Sequence, residues 1–65
     1  MKTFIPFKTF AEMEAAAAIK GEATVTQGDM FLSVFAAPRN FYRLNGQEIP
    51  FHTARANFEH MQRRA

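Results

Sequence analysis

Residues Asn40 to Phe51, NFYRLNGQEIPF, form the stretch on which the fold turns. Asn45-Gly46 lies between two short runs in which large apolar residues alternate with polar ones. A type I′ turn needs positive φ at both central positions, and Asn followed by Gly tolerates this best. The dipeptide therefore predicts a hairpin pairing Leu44 with Gln47, Arg43 with Glu48, Tyr42 with Ile49 and Phe41 with Pro50. Tyr42, Leu44, Ile49 and Phe51 fall on one side of it, and Phe41, Arg43, Glu48 and Pro50 on the other. Arg43 and Glu48 make an opposed pair of unlike charge, worth about 0.2–1 kcal/mol. Pro50 has no amide hydrogen to donate, which marks the last strand as an edge.

Upstream of this hairpin a second one is legible. EATVTQ and MFLSVFAA alternate with period two and are joined by Gly28-Asp29, which suits a type II′ turn with Gly in the first central position. Counting outward pairs Gln27 with Met30, Val25 with Leu32 and Ala23 with Val34. One face then reads Ala23, Val25, Met30, Leu32, Val34, Ala36, and belongs to a core. The opposite face, Glu22, Thr24, Thr26, Phe31, Ser33, Phe35, is mixed.

Helices are expected at both ends. Thr9-Phe10-Ala11-Glu12 has the spacing of a capping box, with Thr9 as N-cap and Glu12 reaching back. The following EMEAAAAIK has high helix propensity, and Gly21 suits the left-handed residue past its end. Phe10, Met13 and Ala17 share a face of this helix, with Ile19 nearly opposite, and the small alanines allow close packing on a sheet. At the other end Thr53 is the expected cap of ARANFEHMQRRA, in which Ala54, Phe58, Met61 and Ala65 form an apolar stripe. Arg55, Glu59, His60 and Arg63 lie on its outer face with Arg64 at the border, and Arg63 and Arg64 complement the helix dipole. An extended lead carrying Phe4, Ile5 and Phe7 precedes the first helix. The expected architecture is a single α+β domain over residues 1–65, a four-stranded antiparallel sheet of two hairpins flanked by two helices, in the order αββββα.

Composition fits such a domain. Sixty-five residues with 48% apolar content, eight Phe, four Met and no Trp supply enough material for one small core. The absence of Cys removes disulfides and thiolate metal sites, leaving packing or self-association as sources of stability, and points to a cytoplasmic homodimer. The run in MKTFIPFK is broken by Pro6 and Lys8 and is too short for the apolar region of a signal peptide, so no export and no membrane span are expected. The net charge of +2 is unevenly placed. Residues 1–38 carry three lysines against four carboxylates, and residues 39–65 carry five arginines against two, which is −1 and +3 respectively. An anionic partner is compatible with this balance without being required by it.

The link between the hairpins carries the functional weight, because a shift of one residue moves every side chain of a strand to the other face. Pro38 favours a turn there. An odd-length link places Val25, Met30, Leu32, Val34, Tyr42, Leu44, Ile49 and Phe51 together under the helices. The other face then displays Thr24, Thr26, Phe31, Ser33, Phe35, Phe41, Arg43 and Glu48. An even link, as Pro38-Arg39 alone would make, mixes the faces and turns the phenylalanines into core. The interior preference of Phe favours burial of at least two of Phe31, Phe35 and Phe41 within the monomer. A homodimer interface or a partner site is the reading if they are left uncovered.

Catalytic groups are sparse. His52 and His60 are eight positions apart, not at the spacing of a zinc-binding helix, and no metal or cofactor site is expected. Ser33 lies within a strand, away from any nucleophile elbow. Glu48 and Glu59 each have a neighbouring arginine, Arg43 and Arg55, as a structural partner. Gly21, Gly28 and Gly46 are explained by a cap and two turns and make no phosphate loop. An enzyme is not expected. The favoured expectation is a small protein-binding regulator or inhibitor of the kind phages and plasmids encode, acting stoichiometrically through Phe31, Phe35, Phe41, Arg39 and Arg43. The alternative is a nucleic-acid module, stacking single-stranded bases on the sheet or contacting phosphates through Arg55, His60, Arg63 and Arg64.

Overall fold

The computed structural model describes residues 3–36 and 39–64. The chain runs β1 (Thr3–Phe4), α1 (Phe10–Lys20), β2 (Glu22–Gln27), β3 (Met30–Phe35), β4 (Phe41–Leu44), β5 (Gln47–Ile49) and α2 (Phe51–Arg64). All strands are antiparallel in the order β1-β2-β3-β4-β5, so each one pairs with its neighbour in sequence. This is the expected α+β domain with one correction, five strands in place of four. The added strand is the extended lead, where Thr3 pairs with Gln27 and Phe4 with Thr26. Pro6 follows two residues later, and a residue without an amide hydrogen cannot extend a ladder.

Both turns form as their dipeptides dictate. Asn45 has φ 52 and Gly46 φ 86, the two positive values of a type I′ turn. Gly28 has φ 59 while Asp29 stays at negative φ, as a type II′ turn requires. Asn45 does more than turn the chain. Its amide donates to the Phe31 carbonyl, and its side-chain Oδ1 accepts from the Phe31 amide, each at 2.8 Å. The side chain thereby replaces a backbone carbonyl and extends the β3–β4 ladder by one step.

Helix α1 starts where Thr9 accepts from the Glu12 amide at 3.2 Å and ends at Gly21, φ 98, whose amide donates to the Ala17 carbonyl. The reciprocal arm of the cap is displaced by one residue, since Glu12 Oε1 accepts from the Lys8 amide at 2.9 Å rather than from Thr9. Helix α2 begins three residues before the position set by a Thr53 cap. The Pro50 carbonyl accepts from the Ala54 amide at 3.0 Å, so Pro50 is the last residue outside the helix and Phe51 the first within it. Proline supplies a carbonyl without leaving an orphan amide, which suits a strand end that turns directly into a helix. Phe51 and Pro50 are thus not strand residues, and the β4–β5 pairing ends at Tyr42 with Ile49.

Both helices lie on one face of the sheet. Phe10, Met13 and Ala17 of α1 and Ala54, Phe58 and Met61 of α2 are buried against Ala23, Val25, Leu32, Val34 and Tyr42. Ala65, the fourth member of the expected α2 stripe, and Pro38 lie outside the described residues. The Phe10 ring sits 5.6–5.8 Å from those of Phe58, Phe51 and Tyr42, all tilted, which joins the two helices to β4. Gln27 Nε2 donates to the Met61 carbonyl at 2.8 Å, occupying one of the carbonyls that the end of α2 leaves without a helical partner.

Candidate interaction face

The link between β3 and β4 is odd. Phe35 pairs with Phe41, which leaves residues 36–40 between them, and Val34 consequently pairs with Tyr42 and Leu32 with Leu44. Partners across an antiparallel ladder point to the same side. This register sends the buried apolar residues of β2, β3 and β4 to the helices and the residues between them to the opposite face.

Three rows make up that second face. At one end Phe4, Thr26 and Phe31 lie side by side across β1, β2 and β3. Thr24, Ser33, Arg43 and Glu48 form the central row from β2 to β5. At the far end stand Glu22, Phe35 and Phe41. Phe4 is 60% exposed and Phe31 42% exposed, whereas Phe35 and Phe41 are partly buried and belong to no part of the core. The expectation that at least two of Phe31, Phe35 and Phe41 join the monomer core is therefore corrected. Both helices occupy the other face, and with an odd link these rings have no layer above them.

The rings at the far end cover one another. Phe35 and Phe41 stack at 4.7 Å between centroids with only 7° between their planes. The Arg43 guanidinium carbon lies 5.7 Å from the first centroid and 5.6 Å from the second. Near equality of these distances means that the cation spans the pair rather than capping one ring. Arg43 and Glu48 are direct register partners, yet the cation is drawn onto the rings, and among the described residues the two form no ion pair. Arg55 behaves similarly, its guanidinium lying 5.7 Å from the Phe51 ring rather than paired with Glu59. In the central row Ser33 is buried and its hydroxyl shares a 3.0 Å hydrogen bond with that of Thr24. Its polarity is satisfied inside the face, a structural role.

Of the residues expected on the face, the register brings Phe31, Phe35, Phe41 and Arg43 together. Arg39 is exposed in the link, two residues before β4, and belongs to none of the paired strands. Phe4 is the member that sequence reasoning missed. Its signal was the alternation of Phe4 outward with Ile5 packed on the core, too short a run to separate from an irregular lead. The basic set of α2, Arg55, His60, Arg63 and Arg64, is exposed throughout and lies on the helix layer, separated from the open face by the sheet. His52 and His60 are likewise on the opposite layer from Ser33.

On the covered side Tyr42 donates its hydroxyl to Glu14 Oε2 at 2.7 Å, tying β4 to α1. Burial, with the Glu14 hydrogen bond and charge added to it, pushes the Tyr42 phenol up to about 12. Among the described residues no three metal-ligating side chains converge, and no helix is long and apolar enough to cross a membrane. Two shallow clefts flank the sheet, one at the β2–β3 turn beside Arg64 and one along the β2 edge lined by Phe4, Pro6, Phe7 and Ala16. The first also has Asp29 in its lining and the second Lys20 and Glu22. No protein-family model matches the chain, and neither does any curated protein or any solved structure.

Proposed function

We propose that this chain is a protein-binding module that acts stoichiometrically, as a regulator or inhibitor does, by docking its open sheet face on a protein surface. The observation that carries the reading is the Phe35–Phe41 register, which leaves four phenylalanines and an arginine on the face without helices. Exposed large apolar side chains, here Phe4 and Phe31, mark interaction sites when they gather on one face. Phe and Arg are enriched in protein interfaces, and Arg is frequent at their energetic centres. A cytoplasmic setting and a phage or plasmid source fit a chain of this size and composition and belong to the same proposal.

The ring geometry favours protein over single-stranded nucleic acid on this face. Phe35 and Phe41 each spend one ring face on the other, which halves the ring surface they offer to unpaired bases. Glu22 and Glu48 also flank the rings and would repel phosphates. The exposed Arg55, His60, Arg63 and Arg64 of α2 support the second reading, phosphate contacts from the helix layer. That reading requires oligonucleotide binding that falls steeply with salt and with Arg63→Ala and Arg64→Ala. No binding at low salt removes it.

The main reading is tested by Phe31→Ser combined with Phe35→Ser. The expected outcome is a folded monomer, by circular dichroism and thermal melting, that has lost self-association and partner capture from native host extract. Unfolding of the double variant would make these rings core and end the proposal.

A further inference from the structure

We infer that the occupant of the open face is a second copy of this chain, docked sheet to sheet about a two-fold axis running along β3. The inference rests on the sheet-face reading above and gives that face its partner.

Charge is the reason. Apart from Arg43 the three rows carry, among the described residues, only Glu22 and Glu48, so their charges are few and of both signs, and a partner must offer both a carboxylate and a cation in matching places. A closed dimer buries the same patch on each copy, so whatever one copy needs it must itself supply. Arg43 has no carboxylate on it in the monomer and lies on the Phe35–Phe41 pair. Glu22 is exposed at the end of β2 and is the cross-strand neighbour of Phe35.

The choice of axis follows from the rows. An axis across the strands through the central row would set Arg43 on Arg43 of the other copy and Glu48 on its Glu48. Like charges opposed in this way work against association. An axis along β3 instead lays β2 of each copy over β4 of the other. Ser33, which is already hydrogen-bonded, then meets its own counterpart, while Phe31 and Phe35 meet theirs. Arg43 comes over Thr24 of the other copy, one row from its Glu22, and symmetry repeats the contact. Glu48, on the edge strand β5, stays at the solvated rim. Two sheets packed this way stand about 10 Å apart with strands within about 30° of parallel, the arrangement of a β-sandwich.

Size bounds the strength of such a dimer. Strands of 2, 6, 6, 4 and 3 residues, at about 4.8 Å between strands and about 3.3 Å per residue, give a footprint of roughly 330 Å². Side-chain relief makes the accessible area larger than this plane, yet it stays below the roughly 800 Å² that each partner of a standard interface contributes. The dimer is therefore a reversible one, with dissociation in the range of about 1–100 µM.

The test is sedimentation equilibrium of the full chain from about 1 µM to about 1 mM, spanning that range. Wild type is expected to follow a monomer–dimer equilibrium. Arg43→Glu and Glu22→Arg are each expected to raise the dissociation constant by roughly tenfold or more, and the two together to return it to within about threefold of wild type. Both side chains are exposed, and unchanged thermal midpoints verify that each variant is folded. A wild-type monomer throughout, or charge reversals whose effects simply add, overturns the inference. If the wild type is monomeric but Phe31→Ser with Phe35→Ser still abolishes partner capture, only the second copy falls and the protein-binding reading stands. If the dimer keeps its wild-type strength in that double variant, both fall.

Discussion

The two faces of the one sheet are built from the same strands and differ in almost every physical respect. The helix side buries Val25, Leu32, Val34 and Tyr42 beneath Phe10, Met13, Phe58 and Met61 and holds its few polar groups in specific bonds such as Tyr42 with Glu14. The open side carries as many large aromatic residues, but only Phe35 and Phe41 find cover, and they find it in each other and in Arg43. Apolar content alone does not make a core. A second layer does, and a chain of 65 residues has supplied that layer on one side only.

The contrast can be broken by truncating one ring on each side. Phe58→Ala removes a fully buried ring from the junction of both helices and is expected to cost about 3–5 kcal/mol, much of the stability of so small a domain. Phe31→Ser, on a ring 42% exposed, is expected to cost about 1 kcal/mol or less in the monomer. Denaturant unfolding at low protein concentration measures both. Similar losses at the two sites would mean that the open face is covered in the monomer after all.

A smaller effect is expected at Asn45, which stitches the second hairpin to the first. Asn45→Ala forces an L-residue to φ 52 and removes the acceptor of the Phe31 amide, and should cost about 2 kcal/mol. Asn45→Gly keeps the turn and loses only the acceptor, so about half of that cost should remain. If glycine proves as harmful as alanine, the side-chain bond to Phe31 and not the turn is what matters there.

A further effect belongs to pH and reports on the covered side alone. Tyr42 is the only tyrosine and the chain has no tryptophan, so phenolate absorbance reads this one group. Its phenol is pushed up to about 12 from 10.0 when folded, chiefly by burial and then by Glu14. The folded state therefore holds the proton more tightly, and the sign follows. The resulting stability is complete below pH 10 and is lost as pH rises towards 12. Glu14→Gln should lower the folded midpoint while leaving the open face unaffected. An ordinary tyrosine midpoint in the intact protein would show that β4 is not held to α1 as described.

Much of the fold was legible because its determinants are local. Asn45-Gly46 and Gly28-Asp29 specify backbone dihedrals that few other pairs adopt, and each then imposes a register by counting outward. Thr9 and Gly21 delimit α1 for the same reason. The errors arose where a local signal competed with tertiary contacts. Thr53 is a sound capping residue, but Pro50 delivers Phe51 to the Phe10 and Tyr42 rings, and the helix starts earlier. Thr3 and Phe4 are too few to announce a strand, and only the exposed edge of β2 makes them one. For the candidate face, Phe31, Phe35, Phe41 and Arg43 could be named in advance, Phe4 could not, and Arg39 has no place in the ladder because a link residue inherits no register.

By itself the sequence determined two hairpins, two helices and, within each hairpin, which side chains travel together, because turn dihedrals and the alternation of strands act over a few residues. The relation between the hairpins lay beyond it, since residues 36–40 contain no dipeptide that dictates a loop length. Only the tertiary structure, by pairing Phe35 with Phe41 and burying Tyr42 beside Val34, decided that the core lies on one face and the aromatic cluster with Arg43 on the other. That choice is global. One residue more or fewer in the link would have exchanged the faces of β4 and β5, and it is the burial of their alternate residues beneath both helices that selects the odd register.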